Sequence, residues 1–200
     1  MRTIINKPIA LAIVVTVILI GAAFYARIPT KKAVNPELVN AALAAKFDTL
    51  SKNSNSSCSG GFKDSIASMA DSDRLQGSCC SPLSMHRYGE QVDGLKKFKS
   101  LPGQNISEIP DDPYDVGANL AKRLISYYDM ELTPEEQRAY DYAMTNSHEK
   151  GPCCCKCWRW YVYGGLAKFL IRNHQFSGEQ IVEIWNLSDG CGGEGDHVQH

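Results

Sequence analysis

The first apolar segment of the chain runs from Pro8 to Ala26 and contains no charged residue. A helix needs roughly 20 apolar residues to cross a bilayer, so this segment is just long enough for one span. It also exceeds the roughly 7–15 apolar residues of a cleaved signal peptide, although Gly21-Ala22-Ala23 would suit cleavage. The pattern therefore favours a retained transmembrane anchor over residues 1–32, with a cleaved signal peptide as the alternative. In both cases we expect an exported chain: a single-pass membrane protein whose soluble part is extracytoplasmic, or periplasmic.

A helix and then a polar segment follow the predicted anchor. Asn35-Pro36-Glu37 has the features of a helix start, with a capping side chain, a proline in the first turn and an acidic residue near the positive end of the helix dipole. Apolar positions continue to about Leu50 and predict a stalk helix beside the membrane. The segment from Ser51 to Ser78 is rich in Ser, Asn, Gly and Asp and predicts a flexible linker. Stalk and linker together cover residues 33–78, and three helically spaced apolar residues within the linker are too few to predict a further helix.

The remainder of the chain shows helical periodicity in about five segments. They begin near Pro82, Tyr114, Pro134, Trp158 and Gly178, with apolar residues recurring three or four positions apart. No alternation of the kind expected for strands persists anywhere. The predicted fold class is therefore all-α: an N-terminal transmembrane helix and a small helical domain of about five helices over residues 79–193, followed by a disordered tail over residues 194–200.

The charge distribution argues against nucleic acid as a partner. Five of the 21 basic residues lie within the first 32 positions and all 22 acidic residues lie beyond them, which leaves 16 basic residues and a net charge of about −6 on the soluble part. Such a surface repels a phosphate backbone. We therefore expect the membrane, through the N-terminal helix, to be a partner and nucleic acid not to be one.

Six of the eight cysteines fall in two short clusters, Cys79-Cys80 and Cys153-Cys154-Cys155-Lys156-Cys157. Neighbouring cysteines are poorly placed to form a disulfide with each other, because the bond needs Cα atoms several Å apart with suitable side-chain directions. Thiolates are soft ligands and good nucleophiles. The clustering therefore indicates soft-metal binding or redox chemistry more than simple packing.

Each cluster precedes a predicted helix start, where unpaired N–H groups and the helix dipole lower the pKa of a nearby thiol. Lys156 and Arg159 would stabilise thiolates further. If the two helix starts pack together, the predicted ligands converge on one pocket: Cys79, Cys80, Cys153, Cys154, Cys155, Cys157, Met85 and His86. Sulfur with one imidazole suits Cu(I), and four thiolates in a tetrahedron suit zinc. We expect copper first and zinc next, in a protein that binds, delivers or senses the metal and is not an enzyme, with a metal donor or acceptor protein as partner.

Two other functions fit the same cysteines. In the first, bridges between the two clusters, with Cys58–Cys191 as a further bridge, staple a structural or interaction domain, and removing such bridges costs about 2–5 kcal/mol in small secreted domains. In the second, Cys154-Cys155-Lys156-Cys157 is the C-x-x-C of a thiol–disulfide oxidoreductase. The βαβ pattern that accompanies this motif in such enzymes is missing from the sequence.

The segment Pro152-Cys153-Cys154-Cys155-Lys156-Cys157 resembles the signature of a family of exported bacterial proteins named for the string P-C-Y-C-G-C. The proline and three cysteines are in register, and the similarity extends over roughly the last third of the chain. Cys154 stands in place of the tyrosine and Lys156 in place of the glycine. The resemblance implies an exported protein with metal or thiol chemistry, and it implies no particular activity.

Overall fold

The computed structural model describes residues 36–52, 62–79 and 82–190. In chain order the elements are α1 (Pro36–Lys52), α2 (Phe62–Ser68), β1 (Arg74–Gln76), α3 (Met85–Lys99), β2 (Asp115–Gly117), α4 (Ala118–Tyr128), α5 (Pro134–Asn146), α6 (Trp158–His174) and α7 (Gly178–Leu187). The described part of the chain is mostly helical, in agreement with the sequence. Its residues from Asn40 onward belong to one compact unit.

Helix α6 lies at the centre of the main core. Apolar residues such as Val162, Leu166 and Leu170 are fully buried, and α6 packs against both α4 and α5. The contact with α4 is close because α6 has a glycine where the two backbones meet: a Cβ at Gly165 would overlap the carbonyl oxygen of Leu124. Burial on several sides explains why α6 is apolar around most of its circumference.

Helix α5 begins as the sequence predicted, with a capping box. The Thr133 hydroxyl accepts a hydrogen bond from the Glu136 N–H, and the Glu136 carboxylate accepts one from the Thr133 N–H. These two bonds satisfy N–H groups that a helix start would otherwise leave unpaired. The cap fixes where α5 starts and how it packs against α6 and α7.

The all-α prediction holds for most of the described residues but misses one small sheet. β1 and β2 form a two-stranded antiparallel sheet in which Leu75 lies opposite Val116, and both side chains are buried. Strands of three residues are too short to produce a visible alternation in the sequence. Because β2 occupies Asp115–Gly117, α4 begins only at Ala118, four residues later than the predicted helix start at Tyr114.

The segment predicted as a flexible linker contains ordered elements beyond residue 61. Helix α2 occupies part of it, and its Ile66 is buried in the main core together with Leu75 of β1. One strongly buried residue in each short element is enough to anchor it, but is too weak a signal to stand out in a polar segment. Core residues therefore occur on both sides of the predicted boundary at residue 79.

The second half of α1 also packs against the domain, whereas the sequence suggested a separate stalk. Leu43, Phe47 and Leu50 contact a small cluster around Tyr88 of α3, and Leu50 is almost completely buried. These residues are spaced three or four apart and so lie on one face of the helix. That face is covered by α3.

Several predicted features lie outside the described residues. They are the anchor over residues 1–32, the tail over residues 194–200, and Cys58, Cys80 and Cys191. None of the helices in the described ranges combines the length and the apolar character needed to span a bilayer.

Candidate metal centre

Four cysteine side chains meet at one point of the structure. The sulfur atoms of Cys79, Cys153, Cys155 and Cys157 all lie within 4.8 Å of one another. Cys79 Sγ is 3.1 Å from Cys155 Sγ, and Cys153 Sγ is 3.6 Å from Cys157 Sγ. A tetrahedral metal with metal–sulfur bonds of about 2.3 Å requires sulfur–sulfur separations of about 3.8 Å. The four sulfurs are therefore arranged so that small shifts would enclose a single ion.

Three of these sulfurs come from the turn that leads into α6. Cys157 is the N-cap residue of the helix, with extended backbone dihedral angles. The turn is attached to the end of α5, because the Gly151 N–H donates a hydrogen bond of 2.8 Å to the Ser147 hydroxyl. Gly151 has a φ of 153°, and a Cβ there would lie 2.8 Å from the Trp160 ring. The tight turn therefore depends on glycine at this position.

The fourth sulfur comes from the loop after β1. The Cys79 N–H donates a hydrogen bond of 2.8 Å to the carbonyl of Gly190, just beyond α7, and the Gly77 N–H donates one of 3.0 Å to the carbonyl of Tyr114. The Arg159 guanidinium also donates to the Gly77 carbonyl, at 2.5 Å. Cys79 is thus held against the cysteine turn by contacts to three remote parts of the chain.

The cluster has a closed side and an open side. Cys153 and Cys157 are completely buried, whereas Cys79 and Cys155 are partly accessible to solvent. Cys154 is exposed. A metal ion bound by all four cysteines would be covered by the protein core on one side and accessible through the other two sulfurs.

The pKa values of the clustered cysteines are shifted in different directions. Hydrogen bonds from the side chains of Cys154, Cys157 and Cys79, together with the Cys155 backbone N–H, lower the pKa of the Cys153 thiol. The hydrogen bond to Cys153 raises the pKa of Cys157, and hydrogen bonds to Cys153 and Cys157 together with burial raise the pKa of Cys79. A negative charge on one of these sulfurs therefore disfavours a further thiolate beside it. A cation among the sulfurs removes that repulsion, and the thiols then release protons.

At the start of α6, the predicted lowering of the Cys157 pKa by backbone N–H groups is outweighed by a neighbouring sulfur. A helix N-terminus should lower the pKa of its thiol, but the pKa of Cys157 is raised, because the neighbouring Cys153 sulfur holds the negative charge. The Arg159 backbone N–H does favour the Cys157 thiolate by hydrogen bonding to it.

Met85 and His86, which the sequence also predicted as ligands, lie in the first turn of α3. Met85 begins α3 and is 38% exposed. The His86 Nε2 lies 3.3 Å from a Glu90 carboxylate oxygen, and His86 is not part of the four-cysteine group. Helix α3 starts six residues after Cys79, so Cys79 lies in a loop and not at a helix start.

No disulfide joins any two of the five cysteines in the described ranges. No local motif in the sequence indicates the polar groups that hold the Cys79 loop, among them the carbonyls of Tyr114 and Gly190. Arg159 was identified as a neighbour of the thiolates, but not as a buried residue that contacts two loops. Lys156, the other predicted neighbour, lies with its ammonium 5.8 Å from the centre of the Trp160 ring.

Comparison with known proteins gives no match among family models, curated proteins or solved structures. The resemblance of the cysteine turn to the P-C-Y-C-G-C family therefore stays a prediction.

Proposed function

We propose that the chain binds one soft metal ion through the thiolates of Cys79, Cys153, Cys155 and Cys157. The observation that carries the proposal is the convergence of four sulfurs within 4.8 Å from two segments far apart in the sequence. Packing alone gives no reason for four thiols to share one pocket, where their thiolate forms would repel one another. A bound cation does, because it favours the deprotonated form of each.

Zinc is the metal that this arrangement favours. Four sulfur ligands in a tetrahedron are typical of zinc or iron–sulfur sites, whereas the sequence-based expectation of copper relied partly on Met85 and His86. His86 is paired with Glu90, and Met85 lies on the surface of α3. Cu(I), which also prefers thiolates, is the second candidate metal.

A site with four protein ligands leaves no position for a substrate or a reactive water, so the function is metal binding and not catalysis. The partial exposure of Cys79 and Cys155 favours a metal that can exchange, as sensing or delivery to a partner protein requires. We retain the membrane anchor and the extracytoplasmic location as proposals that rest on residues 1–32.

Neighbouring cysteines provide a matched test. The full-length chain is purified without chelator, and its metal content and Zn²⁺ affinity are measured by elemental analysis and by competition with a chromophoric chelator. We expect one ion per chain and a loss of at least about 100-fold in affinity for Cys155→Ser. Cys154→Ser should change the affinity little, because Cys154 is outside the four-sulfur group and a serine hydroxyl can still donate to the Cys153 sulfur. Equal losses in the two variants, or no binding by the wild type, would contradict the four-cysteine site.

The second candidate function is that of a structural disulfide between Cys79 and Cys155, because their sulfur atoms are already 3.1 Å apart. In that case the cysteines would serve as a structural staple under oxidising conditions. Thiol titration of the purified chain distinguishes the two functions. A staple predicts that Cys79 and Cys155 are unreactive until a reductant is added, and that the chain then gains stability from oxidation and none from Zn²⁺.

A further inference from the structure

The four sulfur atoms of the proposed metal centre form two pairs that differ in their exposure to solvent. Cys79 and Cys155, here called the accessible pair, have sulfur atoms 3.1 Å apart, and both residues are partly accessible. Cys153 and Cys157 have sulfur atoms 3.6 Å apart, and both residues are completely buried. A small molecule dissolved in water can therefore reach the accessible pair and is kept from the buried one.

The accessible pair joins the two segments that build the centre. Cys79 belongs to the loop after β1, and Cys155 belongs to the turn before α6, 76 residues later in the sequence. Cys153 and Cys157, by contrast, both lie in the turn. A bond between the sulfur atoms of the accessible pair would therefore connect the same two segments that a bound metal ion connects.

Backbone contacts hold the two members of the accessible pair near each other. The Cys79 N–H donates a hydrogen bond of 2.8 Å to the Gly190 carbonyl, and the Gly151 N–H ties the cysteine turn to the Ser147 hydroxyl at the end of α5. Neither contact uses a sulfur atom, so neither depends on what the sulfurs bind. A disulfide has a sulfur–sulfur bond of about 2.05 Å, so the separation in the accessible pair has to shorten by only about 1 Å.

A pair of thiolates in this arrangement can be oxidised by a hydroperoxide, a small oxidant that takes up two electrons. One thiolate attacks a peroxide oxygen, the O–O bond breaks, and the sulfur becomes a sulfenic acid. The second thiolate attacks that sulfur, the S–O bond breaks, and a disulfide forms. The two thiolates lose two electrons, and the two hydroxide ions that leave take up protons from solvent, so hydrogen peroxide becomes two molecules of water.

Oxidation of the accessible pair would remove two of the four ligands of the ion. A structural zinc site is almost always four-coordinate, and a sulfur in a disulfide is no longer a thiolate ligand. Cys153 and Cys157 alone supply only two thiolates. The ion would therefore be released as the disulfide forms.

We propose that the accessible pair is a peroxide-reactive site that controls metal release: its oxidation to a disulfide expels the ion and leaves a covalent link in its place. The inference rests on the proposed metal site and names the class of molecule that triggers release. It differs from the structural staple, in which the pair is already oxidised in the resting protein and holds no metal.

The experiment treats the zinc-loaded, full-length chain with a small excess of hydrogen peroxide. Free Zn²⁺ is followed with a chromophoric indicator, and disulfides are mapped by mass spectrometry after alkylation of the remaining thiols. We expect release of one Zn²⁺ per chain, a disulfide between Cys79 and Cys155, and renewed zinc binding after reduction with dithiothreitol. The oxidised metal-free chain should melt at a higher temperature than the reduced metal-free chain, because the disulfide closes a long loop.

Two variants at neighbouring positions test which thiol reacts. Cys155→His keeps a metal ligand, because three cysteines and one histidine also bind zinc, but it cannot form the disulfide. We expect its zinc release by peroxide to be at least about 10-fold slower than that of the wild type. Cys154→Ser removes an exposed thiol outside the four-sulfur group and should release zinc as the wild type does. If Cys155→His binds no zinc, the disulfide mapped in the wild type decides alone.

The inference and the metal site fail in different ways. Peroxide that leaves zinc bound, or that releases it with a disulfide other than Cys79–Cys155, would overturn the inference and leave the metal site intact. Release from Cys155→His at the wild-type rate, slower release from Cys154→Ser, or an oxidised chain that melts no higher than the reduced metal-free chain would overturn it as well. A fully reduced wild-type chain that binds no zinc would instead refute the proposed function.

Discussion

Two polar clusters lie within this small domain, and their partners differ. Around Asp112 and Asp115 each carboxylate is matched: Lys46 is 3.1 Å from Asp112 and 3.0 Å from Asp115, the Tyr88 hydroxyl donates to Asp112 at 2.6 Å, and Arg74 pairs with Asp115. In the cysteine cluster, four groups of the same kind face one another. The carboxylate cluster is satisfied by oppositely charged and hydroxyl groups of the protein itself, whereas the four sulfur atoms of the cysteine cluster could hold a cation from outside. The first is thus a structural feature, and the second is the site at which we propose metal binding.

The largest expected effect is on the cysteine cluster when the metal is removed. A ligand present at about 1,000 times its dissociation constant stabilises the folded state by about 4 kcal/mol. We therefore expect a chelator to lower the free energy of unfolding by about that amount, measured by urea titration with and without Zn²⁺. In Cys155→Ser the chelator should have almost no effect. If the wild-type chain has the same free energy of unfolding with Zn²⁺ and with the chelator, the cysteine cluster is no more dependent on a cation than the carboxylate cluster is.

The next effect concerns the carboxylate cluster alone. Asp112→Ala leaves the Tyr88 hydroxyl and the Tyr114 N–H without their acceptor, because both donate to this carboxylate. Hydrogen bonds to charged groups contribute about 1.5–3 kcal/mol each, so we expect the loss of two such bonds to lower the free energy of unfolding by about 3 kcal/mol, the lower end of the combined range. The neighbouring Asp111, whose side chain is 75% exposed, is the control: Asp111→Ala should cost less than about 1 kcal/mol. Zn²⁺ affinity should be the same in both variants, and a large change in Asp112→Ala would show that the clusters are coupled.

A smaller effect is expected from the turn that carries three of the ligands. Gly151→Ala introduces a side chain at a φ of 153° and against the Trp160 ring, so we expect a loss of about 1–3 kcal/mol in stability, together with weaker Zn²⁺ binding. Gly89→Ala in α3 is the matched control, because its Cβ would meet only Leu43, at 3.8 Å. That change should be neutral or stabilise the helix by up to about 1 kcal/mol. Unchanged zinc affinity in Gly151→Ala would show that the turn tolerates a different backbone.

The smallest effect is the acid dependence of the carboxylate cluster. Burial alone would raise the pKa of Asp115, but the hydrogen bonds and charges of Arg74 and Lys46 outweigh burial and lower the pKa below its usual value. A lowered pKa in the folded state gives stability that is present above the pKa of the unfolded chain and is lost as the pH falls towards that of the folded state. Both cations are partly exposed, so each pair contributes about 1 kcal/mol or less. Asp115→Asn should flatten the acid side of the pH–stability profile of the metal-free protein. An unchanged profile would show that other titratable groups cause the acid sensitivity.

The sequence predicted the long helices well, and it predicted the two strands and the short helix α2 less well. Long amphipathic segments and the capping box at Thr133 mark their helices through local signals. The two strands and α2 depend on tertiary contacts of single residues, such as Leu75 with Val116, which leave almost no periodic signal.

For the cysteine centre too, the sequence predicted what local composition encodes and missed what depends on tertiary contacts. The composition of the cysteine turn predicted thiolate chemistry, and the expected meeting with the other cluster agrees with the position of Cys79. The exclusion of Cys154 from the shell depends on the direction of one side chain. The burial of the Arg159 guanidinium depends on the carbonyls of Pro113 and Gly77, which lie more than 40 residues away in the sequence. Neither feature is encoded in a local motif.

X-ray absorption at the zinc edge of the zinc-loaded, full-length chain tests the central claim most directly. The four-thiolate site predicts a shell of four sulfur atoms at about 2.3 Å and no nitrogen or oxygen ligand. A shell that includes imidazole or carboxylate ligands, or one that is unchanged in Cys155→Ser, would contradict it.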